Sequence, residues 1–220
     1  MPEASRSYVP AAGHHWLLPL YDPLVSLLGG DTARKALLDQ ATIRSTHRVL
    51  DIGCGTGTLA VLIKRLHPDV AVVGLDPDPK ALARARRKAE REGVSVQFDQ
   101  GYSDELPYAA ASFDRVVSSF MLHHLPVQVK EGTLQGVRRV LAPHGFLHVL
   151  DFAMRSSRPH GLTRLFHSSE HLKDGAEDLL LVLLREAGFD DPKVIARRPM
   201  LFASLAYYQA SARASEPGVA

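Results

Sequence analysis

From residue 47 to residue 152 short apolar runs alternate with amphipathic segments, and that alternation leaves a chain few ways to bury its strands. HRVLDI (47–52), VAVVGL (70–75), VSVQFD (94–99), FDRVVSSF (113–120) and GFLHVLDF (145–152) read as strands, being short, rich in β-branched and apolar residues and bounded by turn residues. Between them, TLAVLIKRLH spaces Leu59, Leu62, Ile63 and Leu66 as on one helix face. DPDPKALARARRKAEREG opens with a capping Asp78 and Pro79 and stops at Gly93, while LQGVRRVL runs up to the breakers Pro143 and Gly145. Strands separated by helices need crossovers, and crossovers build a parallel sheet. GAEDLLLVLLREAGF then reads as a last helix, followed by strands at 192–198 and 200–208 that the RRP segment joins into a hairpin. The expected fold is α/β: a doubly wound, mostly parallel seven-stranded sheet with a C-terminal antiparallel hairpin and an N-terminal helical cap from about Leu17 to Gln40.

A chain of 220 residues closes one sizeable core, so a single domain is expected over 1–220. Its parts are a helical cap (1–44), a ligand-binding core (45–152), a polar His-rich substrate loop or lid (153–175), and the last helix with its hairpin (176–210). With 26 Lys and Arg against 24 Asp and Glu, the net charge of +2 does not favour a nucleic-acid partner. KALARARRKAER is interrupted by Glu90 and reads as the solvent face of an exposed helix. The longest apolar run, Leu179 to Leu184, has six residues, too few for a membrane span. It is expected to pack between sheet and lid. The opening residues carry no apolar secretory core, which points to the cytoplasm, and the lone Cys54 excludes an internal disulfide.

The most informative stretch is Val49-Leu-Asp-Ile-Gly53-Cys-Gly55-Thr-Gly57-Thr58. Glycines at alternate positions clear a strand-to-helix turn of side chains, so that a ligand of adenosine type is expected to lie against the backbone amides. Asp76 ends the next strand, 21 residues after Gly55, where a carboxylate can accept from both hydroxyls of a ribose. Gly55-Thr-Gly57-Thr-Leu-Ala60 also satisfies a dinucleotide fingerprint, so spacing alone leaves a nicotinamide cofactor open. The charge of Asp51 beside the loop opposes a pyrophosphate and suits a cationic ligand.

VLDIGCGTGTLA, then VVGLDPDPKAL, then GYSDELPYAAASFDRVVSSFMLHHL resemble, in order, the motifs of class I S-adenosylmethionine-dependent methyltransferases, a family with a Rossmann-like fold. LYDPL near the start and the AGF-then-hairpin ending resemble the subgroup of ubiquinone and menaquinone C-methyltransferases. The resemblance implies S-adenosylmethionine as cofactor, S-adenosylhomocysteine as product, and a small-molecule acceptor; a homodimer is compatible with it. It implies that Asp51 and the backbone of Gly53, Cys54, Gly55 and Gly57 face the methionine part, with Tyr21 closing over it. Asp76 would hold the ribose, Pro77 would pack on adenine, and Ser118 and Ser119 would sit under the sulfonium. The family usually has Gly-Asp-Ala before Leu-Pro; here Tyr102 stands in place of that Asp, which leaves ring stacking from Tyr102 and a polar contact from Ser103 or Asp104.

His123 and His124 are the candidate catalytic bases, with a capping or packing role as the alternative. Cys54 is assigned no chemistry. His167 and His171, with His160 nearby, have the spacing of a metal pair but no H-E-x-x-H pattern, so no metal is expected. Trp16, Tyr21, Phe152 and Phe166 suggest an apolar or aromatic acceptor, which a quinone-type acceptor and a phospholipid or amine both satisfy. The competing functions are a protein that binds S-adenosylmethionine or S-adenosylhomocysteine without turnover and, less favoured, a nicotinamide-dependent oxidoreductase.

Overall fold

One seven-stranded sheet orders the chain, with strands β1 (Arg48–Ile52), β2 (Ala71–Asp76), β3 (Gln97–Gln100), β4 (Phe113–Ser119), β5 (Leu141–Ala153), β6 (Phe189–Met200) and β7 (Ala203–Ala212). The computed structural model describes residues 29–153, 176–200 and 203–212; the expected cap before residue 29 and the loop or lid lie outside them. The strand order is β3-β2-β1-β4-β5-β7-β6, and only β7 runs antiparallel to its neighbours. From β1 the chain winds outward one way through β2 and β3 and the other way through β4 and β5. The carboxyl ends of β1 and β4 therefore flank the crevice where open α/β sheets place ligands.

Helices α1 (Gly30–Ala41), α2 (Thr58–Leu66) and α3 (Pro79–Arg91) cover one face, and α4 (Val127–Val140) and α5 (Ala176–Glu186) cover the other. Alternate strand residues feed the two cores: Val49, Val117 and Leu150 pack toward α1, α2 and α3, while Leu50, Val116 and Val149 pack toward α4 and α5. Asp78 caps α3 by accepting from the Lys80 N–H at 2.8 Å, and Gly93 closes it with φ 65° while Val94 N–H reaches back to the Ala89 carbonyl at 3.0 Å. Arg115 on β4 ties α1 to the sheet, donating through Nε to the Ala41 carbonyl at 2.8 Å.

Three expectations are corrected. β5 begins at Leu141, straight out of α4, because Pro143 and Gly145 form a bulge instead of a stop: Phe113 pairs with Leu141, and the ladder resumes at Arg115 with Phe146. The RRP segment lies inside β6 and the chain turns after Met200; β6 is an edge strand, where Pro199 removes no ladder donor. The apolar run of α5 buries Leu180, Leu183 and Leu184 but leaves Leu179 and Val182 exposed.

Candidate functional site

The glycine loop leaves β1 under the end of β2. Gly53 and Cys54 both donate their N–H groups to the Leu75 carbonyl, at 2.8 and 3.0 Å, and Gly57 donates to the Cys54 carbonyl at 2.8 Å. The Gly55 N–H goes to Asp76 Oδ2 at 2.8 Å. The expected cradle of free amides is thus corrected: these four donors are already used, because the loop is knitted to β2 and to itself. What stays open is the Cα surface of Gly55, where an added Cβ would meet nothing within 4 Å. At Gly53, by contrast, a Cβ would stand 2.3 Å from Met121 Cγ, so this glycine lets the segment after β4 close on the loop.

Two carboxylates flank that surface. Asp51 is 1% exposed and neither of its oxygens has a hydrogen-bond partner. Burial pushes its carboxyl up to about 8, with the Arg34 charge and the Ala60 N–H offsetting only part of the cost. Asp76 accepts from Gly55 through Oδ2 and from Asp78 through Oδ1 at 2.9 Å; burial still raises it to about 6. Each oxygen of Asp76 keeps a lone pair for a further donor.

Arg34 was not singled out from the sequence. It is buried on α1, its guanidinium lies 5.5 Å from the Phe120 ring centre, and its Nε has no partner. The signal was present: Arg34 stands within the buried stripe of Gly30, Ala33, Leu37, Leu38 and Ala41, where a cation is out of pattern.

The second wall comes from the ends of β4 and β5. Phe120 bends the chain out of β4 with φ 57°, a strained backbone for an aromatic residue, and its N–H reaches the Leu150 carbonyl at 2.8 Å. The Phe120 and Phe152 rings stand 5.3 Å apart, and a 3₁₀ turn (Leu122–His124) brings His123 to 5.0 Å from Phe152 and 3.9 Å from His124. His123 Nδ1 meets Asp151 Oδ1 at 2.6 Å. Burial, then the neighbouring His123, pushes His124 down to about 4, so it packs as a neutral ring.

The remaining expected site residues divide. The Ser118 hydroxyl donates to the Ile52 carbonyl at 3.2 Å inside the sheet, and Ser103 is bonded to Thr133 on α4 at 2.8 Å, so both hydroxyls are spent on internal contacts. Ser119, Tyr102 and Pro77 are half-buried at the crevice edge. The Cys54 side chain is buried against Gly74, and burial pushes its thiol well up. Tyr21, Trp16, His160, Phe166, His167 and His171 lie outside the described residues. Among the described residues no group of His, Cys, Asp and Glu could hold a metal ion.

A buried, unpartnered acid beside a side-chain-free loop, with a second acid at the next strand end, is an arrangement for a ligand that is cationic at one end and carries hydroxyls at the other. Comparison with known proteins agrees with that chemistry. A methyltransferase-domain family profile matches residues 49–145. The chain is 40% identical over 139 residues to the demethylmenaquinone methyltransferase of Thermus thermophilus, a match covering 62% of this chain and 62% of that protein's length. It is 30% identical over 181 residues to the uncharacterized methyltransferase YodH of Bacillus subtilis, covering 78% and 72% of the two chains. Among solved structures, the [4+2]-cyclase SpnF superposes with a TM-score of 0.70 at 17% identity, over 95% of this chain and all of that one, which speaks for the fold alone. The chain belongs to the class I S-adenosylmethionine-dependent methyltransferase family.

Proposed function

We propose that this protein binds S-adenosylmethionine and catalyses methyl transfer to a small apolar or aromatic acceptor. One observation carries the reading: the Asp51 carboxylate, buried with both oxygens unpartnered, waits for a cation. S-adenosylmethionine fits the residues present, since its ammonium and sulfonium charges suit Asp51 and its ribose diol suits Asp76. Arg34, buried nearby with Nε unpartnered, suits the carboxylate of the same amino-acid group. A dinucleotide fits poorly, because the N–H groups of Gly53, Cys54, Gly55 and Gly57 that would receive a pyrophosphate are engaged.

When bound, the cofactor supplies a methyl group already activated on a sulfonium. The chain therefore needs no nucleophile of its own, and its residues act by holding and aligning, an effect worth up to roughly 7–11 kcal/mol in a well-oriented pair. Asp51, Asp76 and the open Gly55 surface hold one reactant. Phe120, Phe152, His123 and His124 wall the space beside it and exclude water from a flat acceptor. The names of the relatives support a quinol-type acceptor, and no helix among the described residues is long and apolar enough to cross a membrane.

Calorimetric titration with S-adenosylmethionine, S-adenosylhomocysteine and NADH tests the cofactor, and formation of S-adenosylhomocysteine with 1,4-naphthoquinol as acceptor tests turnover. Binding of the first two with turnover is the expected result. Binding without turnover over a panel of quinols, phenols and amines would favour the accessory reading, and binding of NADH alone would overturn the assignment.

A further inference from the structure

Asp151 is a second buried acid at the carboxyl edge of the sheet, and nothing in cofactor binding uses it. Three donors converge on its carboxylate. Oδ2 accepts the His123 backbone N–H at 3.0 Å, and Oδ1 accepts the Phe152 N–H at 2.8 Å and faces His123 Nδ1 at 2.6 Å. Burial alone would raise this carboxyl; the charge of His123 and the hydrogen bonds outweigh it and hold Asp151 below the ordinary carboxylate range. An ionised carboxylate only accepts, so the proton between the two groups belongs on Nδ1, and a neutral His123 then carries its lone pair on Nε2.

The same carboxylate fixes both the backbone and the ring of His123, which leaves the imidazole little freedom. Phe152 meets the ring edge-on at 78° and His124 covers it from another side. Among the described residues Nε2 has no hydrogen-bond partner, and the side chain keeps 12% exposure. Met121, two residues earlier, lies against Gly53, so the histidine stands on the rim of the glycine loop.

We propose that Asp151 is a positioning residue that sets His123 as the base for an acceptor whose nucleophile must shed a proton, namely a hydroxyl-bearing aromatic ring. This rests on the methyl-transfer reading above. The acceptor O–H proton passes to His123 Nε2 and the O–H electron pair stays on the acceptor, whose oxygen or conjugated ring carbon becomes the nucleophile. The imidazolium charge is stabilised by Asp151, which stays ionised, and the proton leaves to solvent after transfer. The aromatic walls of Phe120, Phe152 and His124 favour a flat acceptor over an aliphatic amine.

Nitrogen-15 NMR of the His123 imidazole, assigned against His123→Gln, reads the tautomer in the protein without any ligand. The expected wild-type spectrum at about pH 9 shows protonated Nδ1 and bare Nε2, and Asp151→Asn reverses the tautomer because the amide presents a donor instead. With 1,4-naphthoquinol or catechol, Asp151→Asn should lower kcat at least ~100-fold while KM and S-adenosylmethionine affinity stay within about threefold. A wild-type ring protonated on Nε2, or a variant kcat within about threefold of wild type, would overturn the proposal. Should Asp151→Asn fail to fold, the wild-type tautomer and the kcat of His123→Gln decide it by the same thresholds. A wild type that shows the expected tautomer but methylates neither probe would sink the hydroxyl-acceptor reading and leave the Asp151–His123 arrangement standing.

Discussion

The tripeptide Val-Leu-Asp occurs twice, at 49–51 in β1 and at 149–151 in β5, and the fold treats its two acids in opposite ways. In β1 Val49 packs toward α1, α2 and α3, whereas in β5 Val149 packs toward α4 and α5. Since side chains alternate along a strand, Asp51 and Asp151 leave the sheet on opposite faces. Asp51 leaves the sheet near the Arg34 charge with neither oxygen in a well-formed hydrogen bond; Arg34 and the Ala60 N–H offset only part of the cost of burial, and its carboxyl is pushed up to about 8. Asp151 enters the 3₁₀ turn before α4, finds three donors, and is held down. A buried acid that the protein completes is part of the scaffold; a buried acid that the protein leaves incomplete is kept for a ligand.

That contrast predicts opposite signs. Removing Asp151 with Asp151→Ala leaves three donors buried without an acceptor and should cost about 3–5 kcal/mol in urea unfolding of the free protein. Asp51→Asn removes a buried acid that must take up a proton to fold near neutral pH and should stabilise by roughly 2 kcal/mol under the same conditions. The same sign for both would break the comparison.

The price of that extra stability should be function. A cation bound at Asp51 favours its ionised form, so near neutral pH S-adenosylmethionine should expel up to one proton from a group that stands at about 8 in the free protein. Calorimetry in buffers of different ionisation enthalpy measures this release. Asp51→Asn should abolish it and weaken binding at least ~10-fold. Release that persists in the variant would move the proton to another group, Asp76 at about 6 being the next candidate.

The pH profile sharpens the contrast further. Asp51, raised from 3.8 to about 8, favours folding most at low pH and loses that contribution as pH rises through about 8. His124, half-buried, and His148, buried, are both pushed from 6.5 to about 4 and act in the other direction: their contribution is present above 6.5 and is lost as pH falls toward 4. His148 is 1% exposed with Nδ1 unpartnered, and its causes are burial and then Arg115. His148→Leu should therefore flatten the acid side of the stability curve by at most ~1.4 kcal/mol per pH unit, measured by thermal melts across that window.

Most of the fold was legible because it rests on periodicity: five parallel strands, the caps at Asp78 and Gly93, and the hairpin all follow from local pattern. The glycine loop and the two strand-end acids of the cofactor side were legible for the same reason, since a motif puts them within a few residues of one another. Breakers misled where tertiary pairing absorbed them, at the Pro143 to Gly145 bulge and at Pro199 on the edge strand. Asp151 was hidden because its partner His123 is 28 residues away and only the β4–β5 pairing brings them together. Repetition of Val-Leu-Asp at a strand end was the available signal. Nor could sequence tell that the loop amides are turned inward to Leu75 and Asp76, because a glycine motif fixes where a backbone can approach but not which atoms it leaves open.

The smallest predicted effect asks which cation balances Asp151. Lys130, on the second turn of α4, also feels that carboxylate: burial lowers its amine and Asp151 raises it in part, with the net shift downward. It forms no ion pair with Asp151 within 4.0 Å among the described residues, whereas the His123 ring hydrogen-bonds it at 2.6 Å. A half-buried lysine at such a remove contributes little, so Lys130→Met should change stability by no more than about 0.5 kcal/mol and leave the His123 tautomer as in the wild type. A loss as large as that of Asp151→Ala, or a reversed tautomer, would show that the charge of Asp151 is held by the lysine. The imidazole would then be a packed ring like His124 instead of the partner that distinguishes this Val-Leu-Asp from the first.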